Sequence, residues 1–453
     1  MTGHAGFTFF LSFYIICHMK LTSTRDKSVN SSFKNAIQNC MPQDGGLYVV
    51  DGTADLRRWI LYTNENTSFS SIAGTLTSAL INNEYSPIIC ETIATKAFPF
   101  EPVLKQLDEK LFALELFHGP THSSRDFGVF YLAAMLETTL QLENRNCILL
   151  DFTTGEHGAI LAKALKGKKH IKSVLIYPEG KVAGISEEDF VWNGGNIYPV
   201  EVKGGHDEGH TLIKEIFENK ELVQELNLTV STTANIGRLI PQTFFYTYAF
   251  SRLKNKVSSD IYYALDPENY GNIVAGLYSW RLSLPLSGFI VPTTNELTRD
   301  AVGNPVIMDS VIPFKNRGTA DASDPSNLER LEDFFSHYAP VMKSFIHASN
   351  VSEDQTEAAE KELFIKYKRY TDKKTAAAYA AAIQNQNLTD EYGGAIVLLD
   401  RFHPAYSADY IKQTIGETIE VPEEIQNIKK PVTTGKAAIS SSEELIKILK
   451  SLN

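Results

Sequence analysis

The residues with the most chemical reach lie in four loops, each placed after a short apolar run. His118–Gly128 (HGPTHSSRDFG) sets a Gly-Pro turn beside a run of hydroxyls and opens a helix at Asp126. Thr153-Thr154-Gly155 puts hydroxyls and backbone N–H groups at a helix N-terminus, where free amides and the helix dipole favour a carboxylate or phosphate. Asp266–Asn272 (DPENYGN) joins a strand to a helix, and Arg401–Pro404 (RFHP) follows the apolar run Ala395–Leu399. In open α/β sheets ligands bind beyond the carboxyl ends of the strands, so these loops are expected to converge on one pocket. Thr-Thr-Gly alone is more often an N-cap than a ligand site.

Other chemistries find less support. His118/His122 and His206/His210 are each four apart, a spacing that can put two imidazoles on one helical face for a metal. A Gly-Pro turn breaks the first face and the second lacks a carboxylate-bearing third segment, so no metal ligand is assigned. No G-x-S-x-G elbow, Walker lysine loop or G-x-G-x-x-G occurs, which leaves the serine hydrolase, nucleoside triphosphatase and dinucleotide-binding classes unsupported.

The elements that must position these loops are legible from periodicity. Cys147–Phe152 (CILLDF) reads as a buried strand, followed by a helix in which Ile160/Ala164 and Leu161/Leu165 recur and Gly167 supplies the stop. Ser173–Pro178 then closes a βαβ unit. Strands are expected at Gly195–Val202, Ile261–Leu265 and Gly288–Pro292, and helices at His206–Asn219, Ile273–Leu282, Thr375–Ile383 and Ser442–Leu452. Asn316–Asn327 reads as a loop and Lys430–Lys436 as a linker. Strands alternating with helices of this length imply an α/β fold with parallel sheets flanked by helices.

Composition sets the frame. The chain has 453 residues, 43% hydrophobic, with a net charge of −11, which is enough for two to four domains at roughly 100–200 residues each. That acidity and the absence of a basic run argue against nucleic acid as a partner. Cys17, Cys40, Cys90 and Cys147 are scattered singly, with neither a disulfide framework nor a cysteine metal site, which favours a reducing, cytoplasmic setting. The apolar run Phe7–Cys17 is too short to span a bilayer and makes a poor signal peptide, so no membrane partner is expected and residues 1–18 are read as a leader of doubtful function.

Taken together, ELFHGPT (Glu115–Thr121) with DFG (Asp126–Gly128), IYPEGK (Ile176–Lys181), NIGRLIPQ (Asn235–Gln242), NYGN (Asn269–Asn272), PSNLERL (Pro325–Leu331) and HPA (His403–Ala405) resemble the threonine synthase family, pyridoxal-phosphate enzymes of the tryptophan-synthase-β fold type. STRDKSVN (Ser23–Asn30) and DGGLYV (Asp44–Val49) are similar to that family's opening, and VPEEI (Val421–Ile425) to its ending. The resemblance implies an N-terminal domain over 19–95, a two-lobed cofactor-type α/β domain over 96–420 with its smaller lobe near 140–220, and a C-terminal tail over 421–453. It also implies pyridoxal phosphate as cofactor, with Asn269, Tyr270, Gly271, Asn272 and Arg401 at the cofactor and Thr153, Thr154, Gly155, Asn235 and Arg238 at the substrate.

The departures from the family fall where its chemistry is done. Arg125, in SRDF, stands where the family carries the lysine that holds the cofactor as a Schiff base. A guanidinium stays protonated, with its lone pairs delocalised, so it neither forms an imine nor serves as a base at neutral pH. The family's phosphate cradle S-G-N-F-G reads Pro267-Glu268-Asn269-Tyr270-Gly271, which removes one N–H donor and adds a carboxylate. Arg401 replaces the hydroxyl residue facing the ring nitrogen, and the S-G-D-T-G substrate loop reads Thr154-Gly155-Glu156-His157-Gly158. The expected function is that of an impaired or inactive homologue keeping a pocket for a small anionic amino-acid or phosphate-like ligand. The alternative is an active lyase that converts O-phosphohomoserine and water to threonine and phosphate in threonine biosynthesis.

Overall fold

The structure, a computed structural model, describes residues 20–52, 54–81, 84–293, 317–336, 339–390 and 393–453. The leader at 1–18 lies outside the described residues. Twelve strands are seen among them, numbered in chain order: β1 Lys20–Ser23, β2 Tyr48–Asp51, β3 Val103–Gln106, β4 Leu111–Glu115, β5 Cys147–Phe152, β6 Ile171–Pro178, β7 Ile197–Val202, β8 Leu228–Thr229, β9 Ile261–Ala264, β10 Gly288–Thr293, β11 Ile346–Asn350 and β12 Ala395–Asp400.

They form two larger sheets and a ribbon. The six-stranded sheet runs β11-β10-β9-β12-β4-β3 and is parallel except for β3, which pairs antiparallel with β4 at its edge. The four-stranded sheet β7-β6-β5-β8 is wholly parallel. β1 and β2 make the antiparallel ribbon. Every residue of β4, β5, β10 and β12 is buried, the pattern of strands covered on both faces.

The core explains the helices. The long helix Arg125–Glu143 is buried along most of its length, and Phe127 and Tyr131 join Phe69, Phe98, Phe244 and Phe245 in an aromatic cluster with ring centroids mostly 5–6 Å apart. On the other face of the large sheet, six of the 12 residues of the helix Lys373–Gln384 are alanine, which lets it lie close to Ala264, Ile290, Ile396 and Leu398. The last helix, Ser442–Leu452, buries Leu445, Leu449 and Leu452 against the small sheet.

Most expected elements stand within a residue or two. β7 begins at Ile197 rather than Gly195, because Gly195 is folded tightly against the Asp189 backbone, where a Cβ would sit 2.1 Å from its carbonyl oxygen. The helix after β9 starts at Gly271, two residues earlier than its apolar period suggests, since Tyr270 caps it in the left-handed region at φ 63°. Lys430–Lys436 is not a free linker: Val432 N–H bonds the Val182 carbonyl at 2.9 Å and Pro431 bridges to Ala183.

Candidate functional site

β9, β12 and β4 are neighbours in the large sheet, so the loops that leave their carboxyl ends emerge side by side. Together with the segment Thr233–Phe245 and Asp324 they line a cavity of about 190 Å³, formed by Ser124, Arg125, Thr233, Arg238, Gln242, Phe245, Glu268, Asn269, Asn272, Asp324, Arg401 and Phe402. Three of the four expected loops therefore converge. The fourth does not line the cavity: the Thr153 hydroxyl accepts the N–H groups of Gly155 and Gly158 at 3.0 and 2.9 Å, an N-cap, and Thr154 points to solvent.

Of the expected site residues, Arg125, Arg238, Asn269, Asn272 and Arg401 are brought together. Asn235, expected at the substrate, does not line the cavity. Its side chain is fully buried and spent on the chain itself, donating to the carbonyls of Ile37 and Val230 and the Thr229 hydroxyl and accepting from Gly237 N–H. Thr153 and Gly155 likewise act on the loop, and Tyr270 and Gly271 form the helix start rather than the cavity wall. The sequence reading missed Thr233, Gln242, Phe245 and Asp324. Only Gln242, within NIGRLIPQ, and Asp324, within the loop Asn316–Asn327, fell in segments already singled out.

The cavity's charges are largely committed. Arg401, 6% exposed, directs one nitrogen to Glu268 at 2.5 Å and to Asn272 at 3.3 Å, while another lies 3.7 Å from Asp266. Lys374 takes the second Glu268 oxygen at 3.0 Å. Burial opposes the Glu268 charge, but Arg401 and then Lys374 outweigh it and hold the carboxyl far below the usual range. Arg125 opens its helix and reaches Glu156 at 3.5 Å, and Glu156 also accepts from the Ser123 hydroxyl at 2.9 Å. The Phe402 ring stands 5.7 Å from the Arg125 guanidinium and 5.8 Å from that of Arg401.

Arg238 is the exception. Its guanidinium is 7% exposed and packs on Gly128 of the long helix, where a Cβ would meet a guanidinium nitrogen at 1.8 Å. No described carboxylate lies within ion-pair distance and no described group hydrogen-bonds its side chain. Burial, reinforced by Arg125 and opposed at longer range by Asp126, Glu268 and Asp151, brings its pKa down to about 10, so it remains a cation at neutral pH. A buried cation that faces a cavity without a contact ion pair is costly unless an anion arrives.

Lowering the pH tests this electrostatic frame. Glu268 has a depressed folded-state pKa, so its contribution to stability is present above the ordinary carboxylate value and is lost as pH falls through and below it. The difference in denaturant midpoint between the unaltered protein and Glu268→Gln is expected to hold from pH 8 to 6 and to shrink below about pH 4.5.

Among the described residues no group of three or more His, Cys, Asp or Glu side chains is arranged to hold a metal, although the imidazoles of His206 and His210 approach to 3.2 Å. No helix among them is long and apolar enough to cross a membrane. Cys40, Cys90 and Cys147 are buried free thiols.

Residues 20–98 match the family model described as threonine synthase N terminus. The chain is 29% identical over 412 residues to the threonine synthase of Escherichia coli K12, covering 90% of this chain and 94% of that one, and 29% identical over 423 residues to that of Buchnera aphidicola from Acyrthosiphon pisum, with the same coverage. Its fold matches the crystal structure of a threonine synthase from Brucella melitensis with pyridoxal phosphate bound, at a TM-score of 0.78 and 21% identity over 96% of this chain and 99% of that one.

Proposed function

From the premise that the chain is a divergent relative of the threonine synthases in sequence and fold, we propose that its pocket binds a small amino-acid ligand by its carboxylate, without covalent chemistry. The supporting observation is the cavity's donor set. Among the described residues it contains Arg238, which has no contact ion pair, but no lysine, and Arg125 occupies the place at the helix start where the resemblance implies the Schiff-base lysine. Lys374, which touches the cavity's residues, is held by Glu268.

Likeness to the threonine synthases links the site by resemblance to pyridoxal phosphate, yet the residues present do not fit that group. Its aldehyde meets no amine among the described residues that line the cavity. Its phosphate would approach the helix start at Gly271, where Glu268 already stands. At an effective dielectric near 20, two like unit charges about 4 Å apart repel by roughly 4 kcal/mol. What this chain's own residues supply is a cation for a carboxylate, at Arg238, and hydrogen-bonding groups on Thr233, Gln242 and Ser124 around it.

Freshly purified protein is expected to be colourless, with no visible band that borohydride removes, and to be stabilised by carboxylate ligands in a thermal-shift titration. A saturation of 100 times Kd corresponds to about 2.7 kcal/mol of stabilisation. A borohydride-sensitive band, or phosphate release from O-phosphohomoserine, would instead support the second reading, an active enzyme with a rearranged site. That reading is favoured by the retained scaffold, in which PSNLERL and HGPT persist with the rest of the fold.

A further inference from the structure

The charges left over once internal pairs are counted say more about the ligand. Five charged groups line the cavity: Arg125, Arg238, Arg401, Glu268 and Asp324. Arg401 is ion-paired with Glu268 and Asp266, and Arg125 with Glu156 from just outside the lining. Two remain. Arg238 is a buried cation with no described carboxylate in contact, Asp126, Glu268 and Asp151 acting on it only at longer range. Asp324 is exposed at the rim; its backbone N–H is held by Asp321 at 3.2 Å, while no described cation pairs with its carboxylate.

His210 lies close by but does not neutralise Asp324. Burial favours its uncharged form, and its Nδ1 faces the Ser323 hydroxyl at 2.7 Å. That hydroxyl also donates to Asp321 at 2.7 Å, so it accepts from the imidazole and fixes a neutral tautomer with its proton on Nδ1.

One unpaired cation inside and one unpaired anion at the mouth match a molecule that carries both signs. Resting on the reading of this pocket as an amino-acid site, we infer that it selects the zwitterion of a short, unphosphorylated α-amino acid, with its carboxylate on Arg238 and its ammonium toward Asp324. The cavity volume, about 190 Å³, lies below the roughly 300–1,000 Å³ of pockets for drug-sized ligands, which suits a short side chain. A phosphorylated side chain would add a dianion beside Glu268, whose charge is already fixed in place by Arg401 and Lys374. Glu268 thus makes the pocket select against phosphorylated analogues as well as against a phosphate-bearing cofactor.

Isothermal titration of the full chain tests this with L-threonine and other short neutral L-amino acids, N-acetyl-L-threonine, threoninol, L-phosphoserine and sodium acetate as probes. At least one free amino acid is expected to bind, and removing either its ammonium charge or its carboxylate should weaken it at least ten-fold, as should a phosphate on the side chain. Asp324→Asn should weaken the free amino acid at least ten-fold and leave the N-acetyl form unchanged. Equal binding of the free and N-acetylated forms overturns the zwitterion inference. So does binding of acetate or phosphoserine when no neutral amino acid binds, although the anion-pocket reading survives that result. Failure of every probe overturns both. The ligand series on the unaltered protein carries the test whether or not a substitution at Arg238 folds.

Discussion

Arg330→Met is expected to lower the unfolding free energy by about 3–5 kcal/mol in urea denaturation, the largest single-residue effect anticipated in this chain. Arg330 is 1% exposed and is the largest fully buried side chain among the described residues. Its guanidinium donates to the Tyr48 carbonyl at 2.8 Å, to the Thr233 carbonyl and Asn327 Oδ1 at 2.5 Å, and to the Ala234 carbonyl at 3.0 Å. One side chain thereby ties the N-terminal ribbon, the turn that lines the cavity and the loop after residue 317. Methionine matches much of the volume but donates nothing, leaving three buried carbonyls unpaired at about 1–3 kcal/mol each before relaxation and water entry. Lysine keeps the charge without the planar fork, so Arg330→Lys is also expected to destabilise, by less. A loss under 1 kcal/mol for the methionine variant would show that the network is replaceable. In the folded fraction, ligand affinity should fall as well, because Thr233 loses the bond that fixes its carbonyl.

The same network shows where sequence reading stops. β5 and the final helix were legible to the residue and β12 to within one, because an unbroken apolar run or a one-sided period fixes an element wherever burial alone decides its fate. The convergence of three of the four loops on one cavity was legible because strand ends in a parallel sheet point the same way. The positions of Thr233 and Asp324 were not, since Thr233 is set by contacts spanning dozens of residues, to Asn269, Asn327 and Arg330, and Asp324 lies in an irregular loop without periodicity. Asn235 misled for a related reason. Its motif signals a functional segment, but the side chain caps the short helix Ile236–Leu239 while its neighbour Arg238 faces the cavity.

Arg125→Lys alone is expected to leave the protein colourless with pyridoxal phosphate, whereas Arg125→Lys combined with Glu268→Gly and Arg401→Ser is expected to bind it far more tightly. The argument lies in the pair, not the lysine. Glu268 holds φ 42°, a left-handed conformation that glycine adopts without strain, so Glu268→Gly relieves the backbone and removes the resident negative charge. Taken singly, however, it strips the buried Arg401 of its 2.5 Å partner and leaves Asp266 at 3.7 Å as the nearest compensation, with one Arg401 nitrogen already lacking a hydrogen bond. Breaking a buried pair from one side is expensive. Because Glu268 is one-third exposed, about 1–3 kcal/mol is expected here for either single change. Removing both should cost less than the sum, with a coupling of similar size in a double-mutant cycle. The repulsion of roughly 4 kcal/mol relieved at the phosphate corresponds to at most about a thousand-fold in affinity, at 1.36 kcal/mol per decade. An absorbance titration is therefore expected to show cofactor affinity rising by one to three orders of magnitude from the single lysine variant to the triple. A single Arg125→Lys variant that turns yellow and releases phosphate from O-phosphohomoserine would mean that Glu268 and Arg401 yield to the cofactor, and that the lysine alone separates this chain from its relatives.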